Sequence, residues 1–273
     1  MSKSIFTQEM LDYMIANYEI MEYSKIAQHI GLTDKQVRTK MSQLGYRKNR
    51  TFNNRYFQNI DTPLKAYFLG FIFADGWVCA NSETRNYEFG MELQSEDKYI
   101  LDELNKELGG IHNIFHAEAS KINICGHEAN RGDSDILRVY SKPLVMDLIS
   151  NGISTNKTQK DIIPKVSEEF FFDFLRGYID GDGCYWSTAQ RPNCVYLHIT
   201  CASKKVLEYL QERLFAYDIK TKIYTENDRK HRLMCTNYDD MSVLINKMYY
   251  NKDALCLIRK IKLIEKYFDE EAA

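Results

Sequence analysis

The chain has little with which to break or staple itself. Four prolines and 13 glycines in 273 residues are too few for a collagen-like or low-complexity chain. With 44% hydrophobic and 27% charged residues, the chain reads as globular. No apolar run is long enough to span a bilayer, and the start MSKSIFTQEM has no signal-peptide pattern. An intracellular, cytoplasmic protein without a membrane partner is expected. The seven cysteines (79, 125, 184, 194, 201, 235, 256) include no C-x-x-C pair, so they read as reduced, mostly buried thiols. His112, His116, Cys125 and His127 are zinc-ligand types, but they lack a usual zinc spacing. A large excess of one charge is also missing. The net charge of −2 alone argues against a nucleic-acid partner.

What is there changes that reading. Residues 1–60 carry nine Lys/Arg against five Asp/Glu, and the rest of the chain is acidic. Between 33 and 55 there are seven basic residues (Lys35, Arg38, Lys40, Arg47, Lys48, Arg50, Arg55) and one acid, Asp34. So local a cluster is an electrostatic footprint for phosphates. Residues 7–18 and 23–44 read as three short helices. Ala27 is small enough for two helices to cross, Gly31 suits a tight turn, Thr33 can cap the next helix and Val37 can anchor it. These offsets resemble a helix-turn-helix whose second helix presents Lys35, Gln36, Arg38, Thr39 and Lys40 to DNA. Residues 1–50 are thus a small all-α module. The stretch 51–61, rich in Arg, Asn and aromatics, reads as a linker lying along a phosphate backbone.

Two segments 107 residues apart say the same thing. Phe68–Gly76 reads FLGFIFADG and Leu175–Gly183 reads LRGYIDGDG. Gly70 and Ala74 fall on one helix face, as do Gly177 and Gly181, so two such helices can approach backbone to backbone. Thr62 with Pro63 suits the start of the first helix, and Ser167 with Glu168 and Glu169 the start of the second. The likeness extends into the flanks. Phe89, Met91 and Leu93 alternate as a strand, and so do Val195, Leu197 and Ile199. Each strand ends at a Ser able to cap an amphipathic helix, Ser95 and Ser203. Two further strands follow in each half, 111–116 with 121–125 and 219–225 with 231–236, then a last helix and an Asn-Lys pair, Asn156-Lys157 and Asn251-Lys252. The order α-β-β-α-β-β-α occurs twice, across 62–160 and 161–273. A pseudo-twofold molecule suits a nearly twofold partner such as duplex DNA.

Asp75 and Asp182 close the two motif helices. A helix C-terminus disfavours an anion, and two such anions brought together repel. A divalent cation offsets both costs. Mg²⁺ suits an oxygen-only site that also bridges to phosphate.

At this point the residues resemble the LAGLIDADG homing endonucleases of the single-chain, two-repeat type, over roughly 62–268. The stretch NKTQKDIIPKVSEEFFFDFLRGYIDGDG is especially similar. The resemblance implies an α+β fold of two pseudo-symmetric αββαββα repeats forming a saddle over double-stranded DNA, with the helix-turn-helix appended. It implies a monomer that hydrolyses both strands of a long target without a covalent intermediate. It implies two or three Mg²⁺ ions shared by Asp75 and Asp182, assisted by the carbonyls of Ala74 and Gly181, with Mn²⁺ able to substitute. Lys157 and Lys252 correspond to basic residues near the scissile phosphates, and Ser95 and Ser203 to water-positioning side chains. DNA contacts are expected from Arg47, Lys48, Arg50, Arg55, Trp77, Trp186, Tyr196, His198 and Thr200. Glu88 and Glu92 face the same way in the first half, where they weaken phosphate attraction. Phe73 departs from the pattern, standing where the second copy has Asp180. A second reading is a non-cleaving protein on the same scaffold, an intron RNA maturase or a transcription regulator. An intein is not expected, since the chain starts at Met and ends in EEAA without a terminal Asn.

Overall fold

Glycine at 31 and threonine at 33 do what their chemistry allows in the N-terminal unit. The computed structural model describes residues 5–18, 21–46, 52–124, 127–155 and 161–265, and the chain divides into units 1–51 and 52–273. In the first unit, α1 (Gln8–Asn17), α2 (Tyr23–Ile30) and α3 (Asp34–Gln43) enclose Met14, Ile26, Ala27, Val37 and Met41. Gly31 ends α2 with φ 69°, in the left-handed region. The Thr33 hydroxyl accepts from the Gln36 N–H, and the Gln36 side chain accepts from the Thr33 N–H, a complete capping box.

The second unit is built twice from the same plan. Its first half runs α4 (Pro63–Asp75), β1 (Trp77–Asn81), β2 (Asn86–Gln94), α5 (Lys98–Glu107), β3 (Ile114–Ala117), β4 (Ser120–Ile124), β5 (His127–Arg131), β6 (Ser134–Tyr140) and α6 (Lys142–Ser150). Its second half runs α7 (Phe171–Asp182), β7 (Gly183–Thr188), β8 (Arg191–Cys201), α8 (Lys204–Phe215), β9 (Lys222–Asn227), β10 (Lys230–Cys235) and α9 (Tyr238–Met248), followed by the short α10 (Ile258–Ile261). The two four-stranded antiparallel sheets have equivalent orders, β1-β2-β6-β3 and β7-β8-β10-β9. Phe89, Met91 and Leu93 of β2 and Val195, Leu197 and Ile199 of β8 are buried. On that side α5 and α6 cover the first sheet, and α8 and α9 the second. None of the described helices is long and apolar enough to cross a membrane.

The structure corrects four expectations. The strand 111–116 does not pair with 121–125. β3 pairs with β6, in the register Ile114 opposite Leu137, and β4 pairs with β5 in a separate hairpin. Residues 120–124 alternate as a strand should, but Leu137 and Val139 of β6 supply the buried face. The hairpin is therefore an insertion in the first half, and among the described residues the second half has no counterpart.

Ser167 does not cap the second motif helix. α7 begins at Phe171, and the Glu168 carboxylate is taken by Arg213 (2.8 Å) and the Tyr217 hydroxyl (2.6 Å). Ser95 caps nothing either. It opens a 3-10 turn, Ser95–Asp97, that leads into α5. Ser203 does cap α8, accepting from the Val206 N–H.

Residues 52–61 are no free linker. Tyr56 and Phe57 are buried in the core of the second unit, as large aromatics are when a core lies within reach. Their burial sets Arg55, itself exposed, in an ion pair with the buried Asp147 at 2.9 Å. Arg47, Lys48 and Arg50 lie outside the described residues, as does Lys157.

Candidate active site

The centre of the second unit is a helix pair without side chains between its backbones. Gly70 of α4 lies against Phe174 and Tyr178 of α7, and Gly177 of α7 against Tyr67 and Phe71 of α4. A Cβ on either glycine would overlap the facing carbonyl oxygen. One turn further on, Gly181 lies against Ala74, and a Cβ there would sit 3.1 Å from the Asp75 carboxylate. Small residues at i and i+4 thus let the helices close along their length, and their C-terminal ends arrive together. Asp75 and Asp182 are the last residues of α4 and α7, and both are exposed. The Gly76 and Gly183 N–H groups close the helices on the carbonyls of Ile72 and Ile179.

The seam is pseudo-symmetric, but its halves differ in where they bury a charged side chain. Tyr67 and Phe174 are equivalent positions, as are Phe73 and Asp180. In one half the Tyr67 hydroxyl donates to the Asp180 carboxylate at 2.9 Å. In the other, Phe73 and Phe174 pack edge to face with centroids 6.0 Å apart, and Phe73 also meets Tyr178 at 5.2 Å. Asp180 is only 1% exposed and also accepts from the Leu257 N–H at 2.8 Å. The acid missing from the first copy is therefore a packing residue in the second.

Residues 169–252 match a family model described as a LAGLIDADG-like domain. That segment, α7 through α9, is thus similar to a LAGLIDADG-like domain. The DNA-directed RNA polymerase subunit Rpo1C of Methanocaldococcus jannaschii is 26% identical over 162 residues, 57% of this chain and 16% of that protein. The chain thus matches only a small part of that relative's length. Three solved structures are similar at low identity. The homing endonuclease I-WcaI bound to its DNA recognition sequence has TM-score 0.49 and 12% identity, covering 80% of this chain and 99% of that one. Mesophilic variants of the homing endonuclease I-DmoI have TM-score 0.48 and 15% identity, covering 74% and 97%. Full-length DUF199/WhiA from Thermatoga maritima has TM-score 0.45 and 16% identity, covering 81% and 67%.

Beyond α9 the chain runs back beside the second LAGLIDADG helix. Arg176, 2% exposed, pairs with Asp173 at 2.9 Å and donates to the carbonyls of Met248 (2.6 Å) and Leu255 (3.1 Å). At the Asp182 end, the Lys260 ammonium donates to the carbonyls of Ile179, Asp180 and Gly183 at 2.6–2.7 Å, with Gly181 farther away at 3.4 Å. A buried cation on a helix C-terminus offsets its partial negative charge. The sequence reading missed Lys260, which sits in the basic run CLIRKIK without a motif spacing.

It named Lys252 instead, and the structure does not place that residue at the site. Lys252 is exposed between Tyr250, whose hydroxyl donates to Asp173, and Leu255, which meets Arg176. That is the first half of α7. Asp173 and Asp182 are nine residues apart, about 13 Å along a helix. The described flanks of the segment carrying Lys157, Ser154 and Ile162, do line a cavity of about 150 Å³ together with Asp182, Thr200, Cys201 and Ser203.

Of the other candidates, Ser203 is at this cavity. Ser95 is not among its lining residues, and its hydroxyl lies 3.5 Å from Nδ1 of His116. On the sheet face away from the helices, Glu88 and Glu92 are not bare acids. Arg138 sits 3.8 Å from Glu88, while Arg131 and the Ser134 hydroxyl engage Glu92. Trp77 lies over Gly90 and donates to Glu88 at 3.4 Å. Trp186 packs on Tyr196 with centroids 4.7 Å apart, leaving Tyr196 only 9% exposed, so it is largely withdrawn from a partner. His198 and Thr200 are half-buried, and Arg232 beside them is partnered by Glu226 at 2.7 Å. Burial and the Arg232 charge hold the His198 imidazole below its ordinary pKa.

In the N-terminal unit, Lys35, Arg38, Thr39 and Ser42 form the exposed stripe of α3. Gln36 is spent on the capping box, and the Lys40 ammonium lies over the Phe6 ring at 5.5 Å. Arg38 Nε in turn donates to Asp34 at 2.6 Å.

The described residues contain no group of three or more His, Cys, Asp or Glu able to hold a metal. Cys125 lies outside them. The six described cysteines are free, as expected, but only Cys235 is buried.

Burial is also the main cause of the raised Asp180 pKa, pushed up to about 6 against the opposing effects of Leu257, Tyr67, Lys260 and Arg176. The folded protein then holds this proton more tightly than the unfolded chain. Its contribution to stability falls as pH rises from about 4 to 6 and is level above that. Asp180→Asn keeps the shape and loses the titration. The variant is expected to gain on the wild type by on the order of 2 kcal/mol between pH 4 and pH 7, read by denaturant unfolding. A pH-independent difference would refute the assignment.

Proposed function

We propose that this protein is a site-specific DNA endonuclease that hydrolyses phosphodiester bonds in both strands of a long duplex target. The observation that carries the reading is the arrival of Asp75 and Asp182, both exposed, at the touching ends of α4 and α7. The donors there are all oxygen, two carboxylates and helix-end carbonyls, which suits a hard cation. Mg²⁺, with Mn²⁺ able to substitute, would be held by Asp75, Asp182 and the carbonyls of Ala74 and Gly181. It would stabilise charge on the attacking and leaving oxygens.

The chain's own residues do the rest. The glycine seam fixes the spacing of the two acids. Lys260 balances the end of α7 from inside. The open sheet faces bind the duplex through His198, Thr200 and Trp77, joined by Arg138 and Arg131 once these exchange a glutamate for a phosphate. The stripe Lys35, Arg38, Thr39 and Ser42 adds contacts of its own to DNA.

The expected outcome is linear product from a supercoiled plasmid carrying the DNA that flanks the gene. It should form with MgCl₂, disappear with EDTA and return with MnCl₂. The non-cleaving alternative is favoured by one observation, that Lys260 already takes the α7 carbonyls of Ile179 and Asp180 and that of Gly183 just beyond. Shifted but uncut DNA in every metal would support that alternative and end the nuclease reading.

A further inference from the structure

We propose that Asp161, in the connection between the repeats, is a positioning residue that orients the Ser203 hydroxyl toward water beside Asp182. The inference rests on the nuclease reading and goes beyond it by assigning a residue outside both motifs. Asp161 stands 42 residues before Ser203, two residues before Ile163, whose carbonyl lies against Gly152.

The Ser203 hydroxyl has one proton and two lone pairs. The proton goes to Asp161 Oδ1 at 2.7 Å, and one lone pair accepts from the Val206 N–H at 3.3 Å. Asp161 is itself held by the Lys205 ammonium through Oδ2 at 2.9 Å. The hydrogen bonds from Lys205 and Ser203 keep its carboxyl below the usual range. It is therefore an acceptor and leaves Ser203 only one orientation. What remains is a single lone pair on a side chain that lines the same cavity as Asp182 and Thr200. With room for several waters and polar walls on the Asp182 side, the cavity can deliver a water to that lone pair. Ser203 then accepts one hydrogen of the water, which turns the water's own lone pair away from Ser203 and toward the substrate side. Without Asp161 the hydroxyl is free to rotate and donate to the water, which turns the water the wrong way.

Single-turnover cleavage of the flanking-DNA plasmid with MgCl₂ tests this, with protein saturating. Ser203→Ala and Asp161→Ala are each expected to slow cleavage about tenfold, with the half-saturating protein concentration unchanged. The double variant should be no slower than Ser203→Ala, because both remove one device. Asp161→Asn, which keeps an acceptor for the hydroxyl, should recover most of the rate.

A wild-type rate for Asp161→Ala overturns the inference alone, and so does a multiplicative loss in the double variant. An Asp161→Asn rate no higher than that of Asp161→Ala shows that an acceptor for the hydroxyl is not what matters, and also overturns it. If the wild type itself fails to cut, the nuclease reading fails and the inference falls with it.

Discussion

Asp182→Asn and Asp75→Asn should each abolish double-strand cleavage, with a loss of about 10³-fold or more in single-turnover rate. Binding of the same DNA should stay within a few fold. Each carboxylate ends a helix whose last carbonyls already carry partial negative charge, and Asp75 lies across the α4–α7 seam from Gly181, the residue before Asp182. The amide keeps the volume and removes the charge. The same placement makes a second, opposite expectation. An anion at a helix C-terminus costs about 0.3–1 kcal/mol, so both variants should unfold at the wild-type temperature or slightly above it. Loss of cutting with no loss of stability separates a reacting group from a folding group. Wild-type linearisation by either variant would sink the assignment of that residue, and by both, the assignment of the site. Partial loss confined to one strand would point to unequal halves, consistent with Lys260 standing at only one helix end among the described residues.

Gly177→Ala and Gly70→Ala should be among the most destabilising single changes in the second unit. In an open helix, Gly→Ala gains up to about 1 kcal/mol. Here the new methyl would enter the carbonyl of Tyr67 or Phe174 on the opposite helix, and the atoms it meets are backbone. The helices must separate, and that separation forfeits packing along the whole seam. A net loss of about 3 kcal/mol or more is expected from denaturant unfolding. Gly132→Ala is the control. Nothing lies within 4 Å of its added carbon, and its stability should change by less than about 0.5 kcal/mol. Equal effects at 132 and 177 would mean that the seam is not close-packed.

Local rules served best where a residue's role is decided by its neighbours in sequence. Gly31, Thr33 and Thr62 do what their positions suggest, because a cap or a left-handed turn needs only the next few residues. The glycine faces and the alternating strands were legible for the same reason, as a period of four or of two. Roles decided by distant residues were not. Arg55 belongs to a basic run by sequence, yet its partner Asp147 is 92 residues away and nearly buried. Asp180 looks like a spare catalytic acid until Tyr67 and Leu257 are seen around it. Lys252 fits a repeated Asn-Lys pair, but the return path of the chain along α7 brings Lys260, eight residues later, to the helix end. The hairpin 120–131 shows a different failure. Its alternation is real, but pairing is settled by which strand can also bury its other face, and that is β6.

The one unequal rung of the seam has a meaning for how the halves choose each other. Two copies of the second half meeting through this face would set the buried Asp180 carboxylate against Phe174, with no hydroxyl to receive. Two copies of the first would bury the Tyr67 hydroxyl against Phe73, with no acceptor. The first mismatch leaves Asp180 with only its Leu257 N–H donor, and the second buries the Tyr67 hydroxyl without an acceptor, at about 1–3 kcal/mol per unpaired hydroxyl. The mixed pair, Tyr67 with Asp180 and Phe73 with Phe174, gives the Tyr67 hydroxyl its acceptor and leaves the second rung wholly aromatic. The fused chain has thus diverged into two unlike partners that reject their own kind. Any attempt to shuffle halves between such proteins has to carry this rung across along with the acids.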